Sequence, residues 1–313
     1  MENRAVLSGN VRELTDLWLD GAAPSESDLR AASSLAARLA GFDGLRPFSG
    51  VVQSLVDHVS CPDFNMDEVL RLVELDPALA ARILRVANSA VYCAHGACAS
   101  LAQAVVRIGA TNVSGLAMAM SVMTLFKDVG GVGRQIRNHS AGTAVVAREL
   151  AICLDLAAIS SKVFLAGLLH DLGKLLLIQT GDIAYATMVA QEISPCSLHL
   201  REQAMWGFDH ATLGAHVLLA WRIPEPIPRL IACHHQPKGG QGGGSSLARA
   251  LDLLRVADVV DWLLGHGCAA DSPWVGRLAD SPDGVRLGLS EKTLPSLWSD
   301  LRTLREEALQ VFK

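Results

Sequence analysis

Apolar residues recur at helical spacing along most of the chain, and no stretch alternates strictly enough to define a sheet. The pattern predicts an all-α fold, with room for a short strand only near the N-terminus. Residues 1–44 read as a helical leader broken at Gly21–Pro24 and Gly41–Gly44. Met66 to Ala87 reads as a pair of helices. Asp67 is placed to cap the first, and Asp76-Pro77 opens the second, with proline at the first helical position. Leu79, Ile83, Val86 and Ala87 then share one face. A helix from Leu101 closes at Gly109, and a long apolar one starts at Asn112; its Met118, Met120 and Met123 read as core filler. Gly130 to Gly133 marks a hinge. Helices are then predicted near 134–154, 159–178, 182–193, 197–205, 210–221 and 225–235. The glycine-rich loop 238–246 separates them from a helix at 247–265 that carries Asp258 and Asp261, and a last helix spans 290–311.

Composition agrees with this reading. Half of the 313 residues are hydrophobic and 19% are charged. Ala and Leu, which lose little conformational freedom in a helix, outweigh β-branched and aromatic types. At 5% aromatic residues and a formal net charge of -5, the chain has neither stacking platforms nor a basic stripe, which disfavours nucleic acid as a partner. No uncharged apolar run is long enough for a membrane span. The N-terminus lacks the basic and apolar segments of a secretory signal, so a cytoplasmic location is expected. Seven cysteines without CxxC spacing suggest reduced thiols. The apolar fraction is compatible with a homodimer.

The chemistry lies in an ordered set of histidines and aspartates: His139, His170-Asp171, His210, His234-His235 and Asp258. A lone buried histidine is more often a hydrogen-bonded core group than a ligand, but a series of this kind on neighbouring helices is unlike scattered core residues. Imidazole and carboxylate together suit Zn, Mn or Fe, and such donors meet where helix ends and inward faces converge in a bundle. Glu202, eight residues before His210, reads equally as a supporting carboxylate or as part of a solvated face. His216 points away from His210 by helical geometry and reads as structural. Lys162 and Arg201 read as surface charges. His58, His95, His199 and His266 have no partners in the sequence.

The segment FLAGLLHDLGK resembles the signature of the HD superfamily of metal-dependent phosphohydrolases. The flanking segments MDEVLRLVELDPALAARILRVANSAVY, SLAQAVVRIGATNVSGLAMAMSV, RNHSAGTAVVA, FDHATLGAHVLLAWRIPEPI and LIACHHQP resemble HDOD proteins, bacterial signalling-associated relatives of the HD-GYP phosphodiesterases. The resemblance runs from about Leu45 to Asp258. It implies a two-lobed, HD-domain-like helical bundle, with an N-lobe at 45–128 and an HD-like lobe at 134–265 in an HDOD domain over 45–265. A leader at 1–44 and a helical tail at 266–313, where GLSEKTLPSLWSDLRTLREEA also looks like an HDOD C-terminal helix, complete the division. By motif match, the HD-GYP metal ligands fall on His170, Asp171, His210, His234, His235 and Asp258, and His139 matches the first histidine of the HD pattern. Lys174 matches the lysine after the doublet, where it could neutralise phosphate charge beside the catalytic Asp171. The chain departs from HD-GYP after His235, where QPKGGQGGGSS replaces the Gly-Tyr-Pro stretch.

Two functions are compatible with these features. One is a signal-transduction module acting on signalling proteins or a small phosphorylated ligand, with a retained divalent metal site of one or two ions (Fe, Mn or Zn). The other is a metal-dependent phosphohydrolase using the same His/Asp centre. The rebuilt loop after His235 favours the first.

Overall fold

A computed structural model of the protein describes residues 26–40, 49–59, 61, 63–89, 92, 96–125, 131–180, 182–191, 197–221, 223, 225–236 and 245–311. Among these residues the regular structure is entirely helical, as the apolar periodicity predicts. In chain order the helices are α1 (Glu26–Ala40), α2 (Gly50–Val59), α3 (Met66–Glu74), α4 (Pro77–Ala87), α5 (Leu101–Ile108) and α6 (Ala110–Leu125). There follow α7 (Val132–Cys153), α8 (Ser160–Leu169), α9 (Leu172–Gln179), α10 (Ile183–Ala190), α11 (Leu198–Trp206), α12 (His210–Ala220) and α13 (Ile227–Cys233). The last four are α14 (Ser246–Gly265), α15 (Pro273–Ala279), α16 (Pro282–Leu287) and α17 (Thr293–Val311). None of them is long and apolar enough to cross a membrane.

Local chemistry explains most of the boundaries. The Asp76 carboxylate accepts the backbone N–H groups of Ala78 and Leu79, both at 3.0 Å, and Pro77 occupies the first turn of α4. Leu79, Ile83, Val86 and Ala87 are all buried, so the predicted face of α4 is its core face. Ser100 caps α5, and Gly109, at φ 86°, ends it in a backbone conformation open to glycine.

The structure corrects four details. Asn65, and not Asp67, caps α3, accepting the Asp67 N–H at 2.8 Å. Helix α6 begins at Ala110, two residues before Asn112, because Gly109 separates α5 from α6 without a longer linker. The periodicity over 159–178 suggests one helix, but the chain forms α8 and α9 with a break at His170-Asp171. Helices α2, α15 and α16 were not read from the pattern; the last two are six or seven residues long, too short for a periodic signal. Met118 and Met120 are buried as core filler, whereas the Met123 side chain, most of the glycine-rich loop, Gly130 and residues 1–25 lie outside the described residues.

The chain divides into two compact units, neither continuous in sequence. The first comprises Met1–Leu45, Asp128–Ile136 and Leu169–Leu251. It contains α1 and α9 to α13 and is built on Leu172, Leu176, Leu177, Tyr185, Leu198, Phe208 and Leu213. The second comprises Arg46–Lys127, Arg137–Leu168 and Asp252–Lys313, with Leu55, Ile83, Leu116 and Leu150 among its most buried residues.

A glycine sets the closest helix approach in the first unit. A Cβ on Gly173, in the first turn of α9, would stand 1.9 Å from the His210 carbonyl oxygen, and one on Gly214 would stand 3.1 Å from the Gly173 nitrogen. Helices α9 and α12 therefore meet backbone to backbone. We expect Gly173→Ala to destabilise the protein at or above the upper end of the ~1–3 kcal/mol typical of overpacking. Gly276→Ala, where a Cβ meets nothing within 4 Å inside α15, should instead be neutral or stabilise by up to about 1 kcal/mol through helix propensity. Thermal unfolding of both variants checks the pair; equal shifts would overturn the account.

Candidate metal centre

The break between α8 and α9 presents the His-Asp doublet. Asp171 stands at the N-cap of α9, where an aspartate ordinarily accepts backbone N–H groups, yet its side chain makes no capping bond. The Asp171 carbonyl instead accepts the Lys174 N–H at 3.0 Å. The carboxylate faces His170 Nε2 at 3.5 Å, His210 Nε2 at 3.3 Å and Lys174 Nζ at 3.0 Å. Asp171 is 1% exposed. Burial by itself would raise its pKa, but the positive charge of His170, Lys174 and His210 holds it well below the ordinary carboxylate value.

Helix α12 begins at His210. Asp209 caps it, accepting the N–H and the hydroxyl of Thr212, both at 2.8 Å. His210 then directs its own N–H to Glu202 Oε2 at 2.8 Å and its Nδ1–H to the same oxygen at 2.6 Å. The other Glu202 oxygen accepts the Tyr185 hydroxyl at 2.6 Å. Glu202 is fully buried, so it is a supporting carboxylate and not part of a solvated face. Burial tends to raise the Glu202 pKa, and His210 and Tyr185 outweigh it and lower it. Burial tends to lower the His210 pKa, but Glu202 and Asp171 raise it to about 10.

At the end of α13, His234 donates Nδ1–H to the Ile231 carbonyl at 2.6 Å. His235 Nε2 lies 3.0 Å from His210 Nε2. The His234 ring stands edge-on to His170, with centroids 5.3 Å apart. Two sets of donor atoms, His210/His234/His235 and His170/Asp171/His234, each lie within 4.8 Å of one another. His210 and His234 each have Nδ1 held by an oxygen, which directs Nε2 inward, where a bound cation would replace the proton that the neighbouring carboxylates keep on His210; this is the arrangement common to metal-bound imidazoles. Lone pairs and a carboxylate that converge in a buried space repel unless a proton or a cation lies among them. The donor set therefore fits a divalent cation. His170, Asp171, Lys174, His210, His234 and His235 all belong to this first unit.

His139 and Asp258 belong to the second unit, where they pair with each other. His139 Nε2 is 2.8 Å from Asp258 Oδ1, and Nδ1 is 2.7 Å from Asp261 Oδ2. Arg305 of α17 donates Nε–H to Asp261 Oδ1 at 2.6 Å. Gly142 makes room for this carboxylate, since a Cβ there would stand 1.7 Å from Asp261 Oδ1. Burial lowers the His139 pKa, but the two aspartates raise it to about 10. Neither Asp261 nor Arg305 was singled out for a role from the sequence. Asp261 is three residues from Asp258, one turn away on the same helix face, and that spacing is the signal that could have found it.

His199 has no partner legible in the sequence, and His216 reads there as structural. The structure gives His199 a partner: its ring stacks on His235 with centroids 4.4 Å apart and planes at 7°. His216 is buried in α12 with Nδ1–H donated to the Thr212 carbonyl at 2.8 Å, consistent with a structural role.

These centres sit in a helical fold of HD type. A profile of the HDOD domain matches residues 45–237, and the chain belongs to the HDOD family. An uncharacterized protein of Treponema pallidum is 25% identical over 214 residues, which is 66% of this chain and 40% of that protein. The chain thus spans less than half the length of that relative. Among solved structures, a Shewanella amazonensis protein provisionally named a phosphohydrolase superposes with a TM-score of 0.68 at 24% identity, over 89% of this chain and 98% of its own. A Marinobacter aquaeolei protein provisionally named a signal transduction protein gives 0.63 at 22% identity, over 91% of this chain and 65% of its own. Both are similar to this chain in fold.

His216 generates a prediction for acid stability. Burial lowers its folded-state pKa to about 4 from an ordinary 6.5, so folding favours the neutral ring. That contribution is complete above pH 6.5 and is lost as pH falls from 6.5 toward 4, for a total of about 3 kcal/mol. His216→Phe should flatten the acid limb of unfolding free energy against pH over that interval. An unchanged limb in the variant would rule His216 out as its source.

Proposed function

We propose that this chain is a bacterial signal-transduction protein that acts through binding and retains an HD-type divalent metal site as a structural and regulatory element. The observation that carries the reading is the burial of four of the five donors, with His235 half-buried. His170 and Asp171 are each 1% exposed, His210 is fully buried and His234 is 3% exposed. Structural metal sites are closed by their protein ligands, whereas hydrolytic ones keep an open position for water and substrate. Lys174, the residue for a substrate phosphate in the hydrolytic reading, directs its ammonium to Asp171 at 3.0 Å. The name carried by the Marinobacter structure points the same way, and that of the Shewanella structure points to the hydrolytic alternative.

His170, Asp171, His210, His234 and His235 would hold the ion, with Fe, Mn or Zn compatible with the mixed imidazole and carboxylate donors. When bound, a divalent ion supplies a fixed positive charge and Lewis acidity. The residues themselves tie the doublet before α9, the start of α12 and the end of α13 to one point. Glu202 keeps the His210 proton on Nδ1, and the Ile231 carbonyl does the same for His234. The partners of such a module are signalling proteins or a small phosphorylated ligand in the cytoplasm.

Elemental analysis of the full chain, purified without chelator, tests the site. Near-stoichiometric Fe, Mn or Zn is expected, falling by at least about tenfold in Asp171→Ala and His210→Ala. Metal-free wild type would overturn the retained site. Hydrolysis of a generic phosphodiester with added Mn is expected to stay at background. Turnover that needs both Mn and Asp171 would overturn the regulatory reading in favour of a phosphohydrolase.

A further inference from the structure

The three imidazoles of one donor set, His210, His234 and His235, need their ring planes set, and two have a visible device for it. His210 is held through Nδ1 by Glu202, and His234 through Nδ1 by the Ile231 carbonyl. His235 has no such bond among the described residues; its one hydrogen-bond contact there is Nε2 against His210 Nε2 at 3.0 Å. It lies in the turn that follows α13, where the backbone leaves the helix and constrains the side chain less. A flat ring does lie against it. His199 stacks on His235 with planes at 7°, whereas the other histidine pairs of the cluster meet at 43° to 88°.

His199 and Glu202 are three residues apart on α11, so they project from one helix face. The same short helix thus holds His210 through a carboxylate and meets His235 through a ring. Helix α11 is itself anchored in the first unit. Leu198 is buried, Trp206 lies 5.4 Å from the Tyr185 ring, and Arg38 of α1 covers Trp206 at 4.2 Å. A residue on so well packed a helix can transmit its position to a neighbour. The His199 Nδ1 is buried with no hydrogen-bond partner, so this nitrogen does not hold the ring, whereas the stacking contact does. A buried polar atom in that state adds nothing to stability, and a phenyl ring would fill the place without that cost.

We propose that His199 is a positioning residue: its ring fixes the plane of His235 by stacking, so that His235 Nε2 converges with His210 Nε2 on the metal. The proposal rests on the metal reading given above and adds to it a residue outside the ligand set. Glu202 and His199 together make α11 a clamp on two of the three imidazoles. Flatness and contact are what the position requires, and a nitrogen atom is not.

The test is a Co(II) titration of the metal-free full chain, followed by the visible ligand-field absorption and by competition with a chelator. Wild type, His199→Phe, His199→Ala and His235→Ala are compared. His199→Ala should weaken Co(II) by about tenfold to a hundredfold, the range for residues that orient metal ligands, and shift the spectrum toward that of His235→Ala. His199→Phe should bind within about threefold of wild type, with the wild-type spectrum, because a loss of orientation is what costs affinity. Equal losses in the Phe and Ala variants, with both folded by circular dichroism, would assign the role to the nitrogen and overturn the proposal. Wild-type affinity and spectrum in His199→Ala would overturn it alone and leave the metal site standing. Wild type that takes up no Co(II) would overturn the metal reading and this inference with it.

Discussion

The backbone contact between α9 and α12 governs the rest of the first unit. Gly173 comes so near the His210 carbonyl that no side chain fits between them, and Gly214 lies against Gly173 from the other helix. This contact places Asp171, two residues before Gly173, beside His210 at the first position of α12. A Cβ at Gly173, 1.9 Å from the His210 carbonyl oxygen, would force α9 and α12 apart and draw the carboxylate away from its imidazole, whereas one at Gly214, 3.1 Å from the Gly173 nitrogen, is merely tight. The doublet, its following glycine and the later histidine therefore form one geometric device. Close packing makes such a device intolerant of small changes in volume.

Given that contact, the outer nitrogens of His210 and His234 are fixed by buried hydrogen bonds and not by flexible surface charges. Asp171 forgoes the capping role of its position and leaves its carboxylate for the histidines and Lys174. Glu202 is buried, which is costly for a charged group unless it is paired. Here two groups on His210 and the Tyr185 hydroxyl satisfy it. Buried networks of this kind are stable when complete and costly when broken. In the second unit, Asp261 is similarly shared between His139 and Arg305, in a space that Gly142 leaves open. Each unit thus contains a histidine held through Nδ1 by a buried carboxylate, Glu202 for His210 and Asp261 for His139.

Much of this was legible in the chain. The helices α4, α7, α12 and α14 follow from apolar residues at helical spacing, since segments of ten or more residues repeat the signal several times. The order His139, His170-Asp171, His210, His234-His235, Asp258 is visible as a series. Apolar spacing alone does not show the break between α8 and α9, because Leu168, Leu169, Leu172, Leu175 and Leu176 keep helical spacing across it and all are buried. In the sequence Glu202 reads two ways and His199 has no partner. A carboxylate on a short helix reads the same whether it faces water or an imidazole, and a stacked ring has no sequence pattern. Arg305 lies 44 residues from Asp261, and no local rule joins them.

The sequence by itself determined the class of fold, the family's residue series and the mixed imidazole and carboxylate chemistry available to a metal. Those properties depend on residue type and on short periodic spacing, which are local. Tertiary structure decided which nitrogen of each histidine is held, which carboxylate supports which ring, and that α11 carries both Glu202 and His199 to their partners. Those properties depend on the distance between segments remote in the chain. Only the packed helices, brought to backbone contact at Gly173, establish that distance.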